Sequence, residues 1–157
     1  MSINHINLDL ATEHSTSQPA PTGTRRLHLD DTYGWQELIV VKNSSVGTLA
    51  VNTMVSFASG SSINVDVASA VADPIAKCAG VLKASLLTLE YGWAVRRGDT
   101  LCIADAAIAA ANVALSVGSI GRLDDIAVAG IEHCIVGWAL ESATGAASTF
   151  RARLCLP

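Results

Sequence analysis

The fold is decided by the stretch LLTLEYGWAVRRGDTLCI, which occupies residues 86–103. Large apolar side chains recur at every second position in its first half, and this spacing places them on one face of a β-strand. They are Leu87, Leu89, Tyr91, Trp93 and Val95. The pair Gly98-Asp99 is typical of a tight turn, and residues 100–103 are again apolar or β-branched. The stretch therefore predicts a hairpin whose turn lies at Arg97-Gly98-Asp99.

Further short strands are predicted on both sides of this hairpin, where apolar runs are bounded by Gly, Asn, Asp or Pro. They cover residues 37–42, 48–57, 63–67, 78–82, 134–140 and 149–156. Residues 104–115 fit either a helix capped by Asp105 or strand and loop, and the lack of charged residues after Asp105 favours the second. Many short strands without a strand–helix rhythm predict an all-β domain over residues 35–157, either a compact β-barrel or a jelly-roll-like sandwich.

Residues 1–34 are predicted to form an extended N-terminal arm. They contain Pro19, Pro21 and many Ser and Thr residues, with no sustained periodicity. The alternatives are a flexible terminus and an arm that becomes ordered on a partner, and fully extended it could span about 110 Å. Its candidate partner-binding residues are the apolar ones, Ile3, Ile6, Leu8, Leu10, Leu27 and Leu29.

The composition argues against a nucleic-acid partner and a membrane partner. The 157 residues carry a net charge of -4, and only 15% of them are charged. Phosphate binding needs clustered Lys and Arg, whereas only Arg25-Arg26 and Arg96-Arg97 stand out. The N-terminus lacks the pattern of a secretory signal, and the most apolar window, residues 101–118, contains Asp105 and Asn112. We expect synthesis in a cytosol.

No motif predicts catalysis, a metal site or a cofactor. His133 and Cys134 are neighbours, so in a strand they would point to opposite faces and could not share a proton. Asp124-Asp125 lacks the pattern of a calcium loop, and Arg97-Gly98-Asp99, a tripeptide of many integrin ligands, is explained by turn chemistry. The four cysteines lack metal-site spacing, which predicts reduced thiols, mostly buried. They are Cys78, Cys102, Cys134 and Cys155.

Three Gly-Trp pairs recur at unequal spacing, which excludes a solenoid or propeller repeat. They are Gly34-Trp35, Gly92-Trp93 and Gly137-Trp138. We interpret Trp35, Tyr91, Trp93 and Trp138 as structural anchors of the packed domain. If the indoles were exposed, they would instead suit a platform for a receptor or a glycan, so their burial distinguishes two functions.

Four short segments stand out in the pattern of strands and glycines over residues 40–156. They are Glu90-Tyr91-Gly92-Trp93, Gly137-Trp138-Ala139-Leu140, Gly145 and Arg151-Ala152-Arg153-Leu154. With them the pattern resembles the small β-barrel decoration, or cement, proteins of tailed-bacteriophage capsids. In those proteins a Tyr-Gly-Trp strand often follows a line similar to Ala79-Gly80-Val81-Leu82, and a late hairpin leads to the terminal strand.

The resemblance implies a structural virion protein, made in the host cytoplasm and added to the outside of an assembled capsid. Its partner would be the major capsid protein, whose subunit contacts it would stabilise, often as a homotrimer. The alternative is a receptor- or glycan-binding module of a phage tail or fibre. An enzyme ranks third, because it would need His133 or the cysteines to converge with a carboxylate in a pocket.

Overall fold

The computed structural model describes residues 14–21, 24–58, 61, 63–67, 77–126 and 135–157. In these residues it contains strands and no α-helix, which confirms the all-β prediction and the choice of strand and loop for residues 104–115. The strands are β1 (Arg25–Asp30), β2 (Gly34–Asn43), β3 (Met54–Phe57), β4 (Asn64–Val67), β5 (Cys78–Leu82), β6 (Tyr91–Ile103), β7 (Ala114–Val117), β8 (Leu123–Asp125), β9 (Gly137–Ala139) and β10 (Thr149–Cys155).

Five strands form a closed ring. Strand β2 pairs with β4 in parallel, and the antiparallel pairings β4–β3, β3–β5, β5–β6 and β6–β2 complete the circuit. Strand β1 pairs with β2 outside this ring. A closed ring leaves no strand edge exposed between its members, which is the advantage of a barrel.

The other strands form a second ring that also uses β6. They pair in the order β6–β10–β9–β7–β8, all antiparallel. Ala104, directly after β6, makes a single parallel bridge to Leu123 in β8, and the Asp105 N–H donates to the Leu123 carbonyl at 2.8 Å. The two rings therefore share one strand, and in the described part of the chain the second is closed by one bridge rather than by a ladder.

The predicted hairpin over residues 86–103 is wrong, because β6 runs through Gly98-Asp99 without turning. Gly98 has a φ of 105°, and a Cβ there would lie 2.4 Å from the Trp35 carbonyl oxygen. The glycine thus permits a close approach of β2 inside a strand. Arg97 is opposite Glu37 of β2 and Cys155 of β10, so β6 passes from one ring to the other at this point.

The core consists of two clusters. One is drawn from the first ring alone, for example Ile39 and Val41, whereas the other spans both rings and includes Leu38, Trp93 and Phe150. Successive residues of β2 alternate between the two clusters, so both of its faces are buried. This explains why the sequence of β2 is continuously apolar from Leu38 to Val41.

The folded sheet begins at Arg25, before the predicted domain boundary at Trp35. Residues 25–30 form β1 and pair with β2 from Arg25 opposite Ile39 to Asp30 opposite Gly34. They are therefore part of the domain rather than of a separate arm. Four other predicted arm residues lie outside the described residues, namely Ile3, Ile6, Leu8 and Leu10.

Candidate functional site

The described residues do not bring together a metal-binding set of three or more His, Cys, Asp or Glu side chains. Burial raises the pKa of the Cys102 thiol far above its ordinary value, so this cysteine is an inert part of the core. Cys78 is also a buried thiol, and Cys155 is exposed. His133 and Cys134 lie outside the described residues. In the part of the chain that is described, no helix is long and apolar enough to cross a membrane.

Exposed apolar side chains form one candidate surface at the end of the first ring, which we call the loop tip. It consists of Val46, Leu87 and Leu89, whose relative exposures are 102%, 57% and 60%. Such residues are common singly at a surface, but here two loops present them together. The pattern suits a contact with another protein.

Asn43 holds the two loops of the tip together. Its side-chain amide is fully buried and donates to the carbonyls of Gly47 at 2.8 Å and Leu86 at 2.9 Å. The Leu89 N–H donates to the Asn43 carbonyl at 3.0 Å. Leu89 has a φ of 69°, an unfavourable conformation for a residue with a Cβ, so its exposed side chain is presented against a local conformational cost.

The N-terminal segment lies beside the loop tip. Glu90 accepts the Leu87 N–H at 2.8 Å, and the same carboxylate oxygen is 3.2 Å from Nδ1 of His14. Ser15 exchanges two backbone hydrogen bonds with Tyr91. Residues 1–13 therefore continue from a point next to Leu87.

A second candidate surface, the strand face, lies on the β1–β2 hairpin. It consists of Leu27, Leu29 and Trp35, with relative exposures of 63%, 44% and 62%. Leu29 is directly opposite Trp35 in the ladder, and Leu27 is opposite Glu37, so these side chains share one side of the sheet. A cavity of about 310 Å³ beside them is lined by Arg25, Arg26, Leu27 and Glu37.

Polar contacts fix the opposite side of the hairpin to the domain. Although burial opposes ionisation, hydrogen bonds from Lys83 and from the amides of Thr32 and Tyr33 lower the pKa of Asp30. The Lys83 ammonium is 2.8 Å from the Asp30 carboxylate. Burial and the nearby Lys83 charge lower the pKa of His28, which is therefore neutral at physiological pH.

The predicted anchors fall into two groups. Trp93 is 5% exposed, and Tyr91 packs against the core with the Lys42 ammonium 5.2 Å from its ring centroid. Trp35 and Trp138, at 62% and 42%, are exposed and are not core anchors. Trp138 lies on β9 opposite Arg153, away from the β1–β2 ladder in strand order.

The Arg97-Gly98-Asp99 triplet lies within β6, and the Asp99 carboxylate forms an ion pair. The Arg153 guanidinium binds the Asp99 carboxylate through two nitrogens at 2.6 and 3.0 Å. This ion pair joins β6 to β10 and raises the pKa of Arg153. A bidentate ion pair of this kind links two strands, so Asp99 has a structural role and the triplet does not form an exposed recognition loop.

Sequence reasoning missed the loop tip as a site. Asn43-Ser44-Ser45 signals a turn in the sequence, but the bonds from Asn43 to Leu86 join residues distant in the chain, and no local pattern reports them. The period-2 spacing of Leu87 and Leu89 predicts strand residues, whereas the structure places them in a loop before β6. The signal available in the sequence is only that Leu87 and Leu89 flank Thr88.

No family model matches this chain, and no curated protein matches it. A search of solved structures does give a match, to the head fibre gp8.5 N base of bacteriophage phi29. The TM-score is 0.56 with 12% sequence identity, covering 75% of this chain and 94% of that chain. The two chains share a fold. The neighbour is the base of a phage head fibre, and at this sequence identity the likeness shows the fold alone.

Proposed function

We propose that this protein is a structural virion protein that binds the outside of an assembled phage head and stabilises contacts between major capsid subunits. The observation that carries the proposal is the fold shared with the base of a phage head fibre. The base of a fibre is the part expected to sit on the head, so the shared fold supports attachment to a head.

The attachment surface is the loop tip together with residues 1–13. The tip offers apolar side chains on a rigid support, held by the Asn43 amide. The segment that continues from His14 contains Ile3, Ile6, Leu8 and Leu10, and an extended segment can bind by adding to the edge of another protein's sheet. Buried apolar side chains supply the favourable free energy that offsets the ordering of such a segment.

The test adds purified protein to heads that lack it and measures the occupancy that survives washing. We expect deletion of residues 1–13 and the substitution Leu89→Asp each to lower the occupancy at least tenfold, since each removes about 1.4 kcal/mol or more of binding free energy. Ile120→Asp is the matched control, because Ile120 is also an exposed aliphatic residue with positive φ, at 66% exposure and 53°.

Ile120→Asp is expected to bind as the unaltered chain does. If the deletion and Leu89→Asp also bind unchanged, the loop tip and the N-terminal segment are not the attachment surface. If the unaltered chain itself fails to bind heads, the proposed function is wrong.

A second candidate function is the receptor- or glycan-binding module, and the exposure of Trp35 and Trp138 favours it. Exposed indoles give flat apolar faces with one hydrogen-bond donor, which suits a ligand that is part apolar and part polar. The test compares virions carrying Trp35→Ala or Trp138→Ala for adsorption to host cells. Lost adsorption at unchanged head occupancy would support this second function, and unchanged adsorption would exclude these two platforms.

A further inference from the structure

The β1 strand has one edge that no described residue covers. Strands β1 and β6 both pair with residues 37–39 of β2, so they lie on its opposite edges. No described strand pairs with the other edge of β1. Uncovered edges of this kind are templates for pairing with another chain unless charge or proline blocks them.

The backbone groups that point to the uncovered edge belong to the leucines. The Lys42 N–H donates to the carbonyl of Ile63, the residue directly before β4, and β4 lies on the same edge of β2 as β1. The Asn43 N–H donates to the carbonyl of Glu90, the residue directly before β6, on the opposite edge. The backbone N–H and C=O groups of the even-numbered residues of β2 therefore point towards β1. By the ladder register, the backbone groups of Arg26 and His28 point back towards β2. The N–H and C=O groups of Leu27 and Leu29 point outward.

The sequence of β1 is complementary to itself. Two antiparallel copies must pair outward-facing residues with outward-facing residues, which limits the register. The register centred on His28 places Arg26 opposite Asp30 and Leu27 opposite Leu29, each twice by symmetry. A centre at Leu27 would place Arg26 opposite His28, and a centre at Leu29 would place Leu27 opposite Asp31. Only the first register pairs opposite charges and apolar side chains together.

We propose that two copies of this chain associate through their β1 strands, antiparallel and centred on His28, so that the sheet continues across a two-fold axis. The ladder then gains four backbone hydrogen bonds between Leu27 and Leu29 of the two copies. On one side of the joined sheet, Leu27, Leu29 and Trp35 of both copies form a continuous apolar band. On the other side Arg26 approaches Asp30, which keeps its bond to Lys83.

This contact is smaller than the interface of a permanent dimer. A pair of six-residue strands covers less than the roughly 800 Å² per partner of a standard interface. The association is therefore reversible and depends on concentration. It becomes strong where other contacts already hold two copies close together, because the second contact is then intramolecular.

The residues that precede His14 are the main competitor for the same edge. Measured across the sheet, the path from Ser15 over β6, β2 and β1 to the uncovered edge is about four strand spacings, or roughly 19 Å. The chain from Leu10 to Ser15 spans at most about 17 Å when fully extended. Leu10 therefore does not reach the edge by this path, whereas residues nearer the N-terminus are long enough to reach it. If they occupied the edge, the chain would stay monomeric at every concentration in the test below.

The test measures the mass of the full-length chain in solution, without heads, by sedimentation equilibrium over a range of concentrations. We expect a rise from the monomer mass of 16.2 kDa towards twice that value. The double substitution Leu27→Lys with Leu29→Lys is expected to stay monomeric at every concentration. Leu87→Lys, a substitution of similar exposure at the loop tip, is the control and is expected to dimerise as the unaltered chain does.

A further variant tests the register. Arg26→Asp places like charges opposite each other twice, so we expect the dissociation constant to rise about tenfold or more. A monomer at all concentrations would overturn the proposal, as would the trimer that the resemblance implies. Equal loss of association in Leu87→Lys would show that the loop tip, not β1, joins the copies. Since no heads are present, failure here is distinct from failure of head attachment.

Discussion

The two rings that share β6 differ in how they are closed. Every side of the first ring is a ladder between strands, whereas the second ring is completed by the single bridge between Ala104 and Leu123. Closure by one bridge leaves less backbone bonding to lose when the ring opens, so local opening costs less free energy there. The first ring is therefore the more rigid part of the molecule, and it also carries the loop tip.

The strongest test of this division is at Gly98, where β6 passes between the rings. In Gly98→Ala the new Cβ would lie 2.4 Å from the Trp35 carbonyl oxygen and 3.1 Å from the Gln36 Cα, so backbone must move. We expect a loss of about 3 kcal/mol or more in the free energy of unfolding, measured by urea denaturation. Gly34→Ala is the control, since Gly34 also has positive φ, at 73°, but a Cβ there meets nothing within 4 Å.

In the control variant we expect the free energy of unfolding to decrease by only about 1–2 kcal/mol, which is the cost of a left-handed conformation for a residue with a Cβ. Equal losses in the two variants would mean that the close approach of β2 at Gly98 is not needed to join the rings.

Much of this fold could be predicted from local patterns. Period-2 and continuously apolar runs predict β2, β4, β5 and β10, because half-buried strands alternate and doubly buried strands are continuously apolar. The hairpin at residues 97–99 was predicted wrongly for a physical reason. A glycine that makes a turn and a glycine that admits a neighbouring backbone look the same in a sequence, and only the carbonyl of Trp35 distinguishes them.

The candidate surfaces were harder to predict. The sequence predicts that Leu27 and Leu29 bind a partner, but it does not predict β1 itself, since charged residues surround the two leucines. Trp35 is predicted to be a packing anchor, yet it lies near the start of β2 opposite Leu29, and its side chain is exposed. The loop tip depends on Asn43 meeting Leu86 in space, which no local pattern reports.

A smaller effect is expected at the closure of the second ring. The Asp105 carboxylate accepts the Ser119 N–H at 2.7 Å and the Ser119 hydroxyl at 2.5 Å, beside the bridge to Leu123. We expect Asp105→Ala to cost about 1 kcal/mol of global stability. Hydrogen exchange should quicken for the amides of β7 and β8 and stay unchanged for those of β2 and β5.

Faster exchange in both rings to the same extent would show that they open as one unit. In that case the single bridge would not be the weak point of the molecule, and the second ring would not open more readily than the first.

The smallest expected effect is a dependence of stability on pH that arises at His28, on the hairpin that flanks the first ring. Burial and the Lys83 charge hold its pKa in the folded protein below the ordinary value of 6.5. As the pH falls through 6.5, the unfolded chain therefore takes up a proton more readily than the folded one. The stabilising contribution is complete above this pH and is lost as the pH falls from there towards the lower pKa of the folded state.

We expect the free energy of unfolding to decrease between about pH 7.5 and about pH 5.5, and to decrease less in His28→Gln, because glutamine does not titrate. Equal decreases in the two proteins would show that other groups cause the pH dependence and that the titration of His28 does not affect the stability of the hairpin.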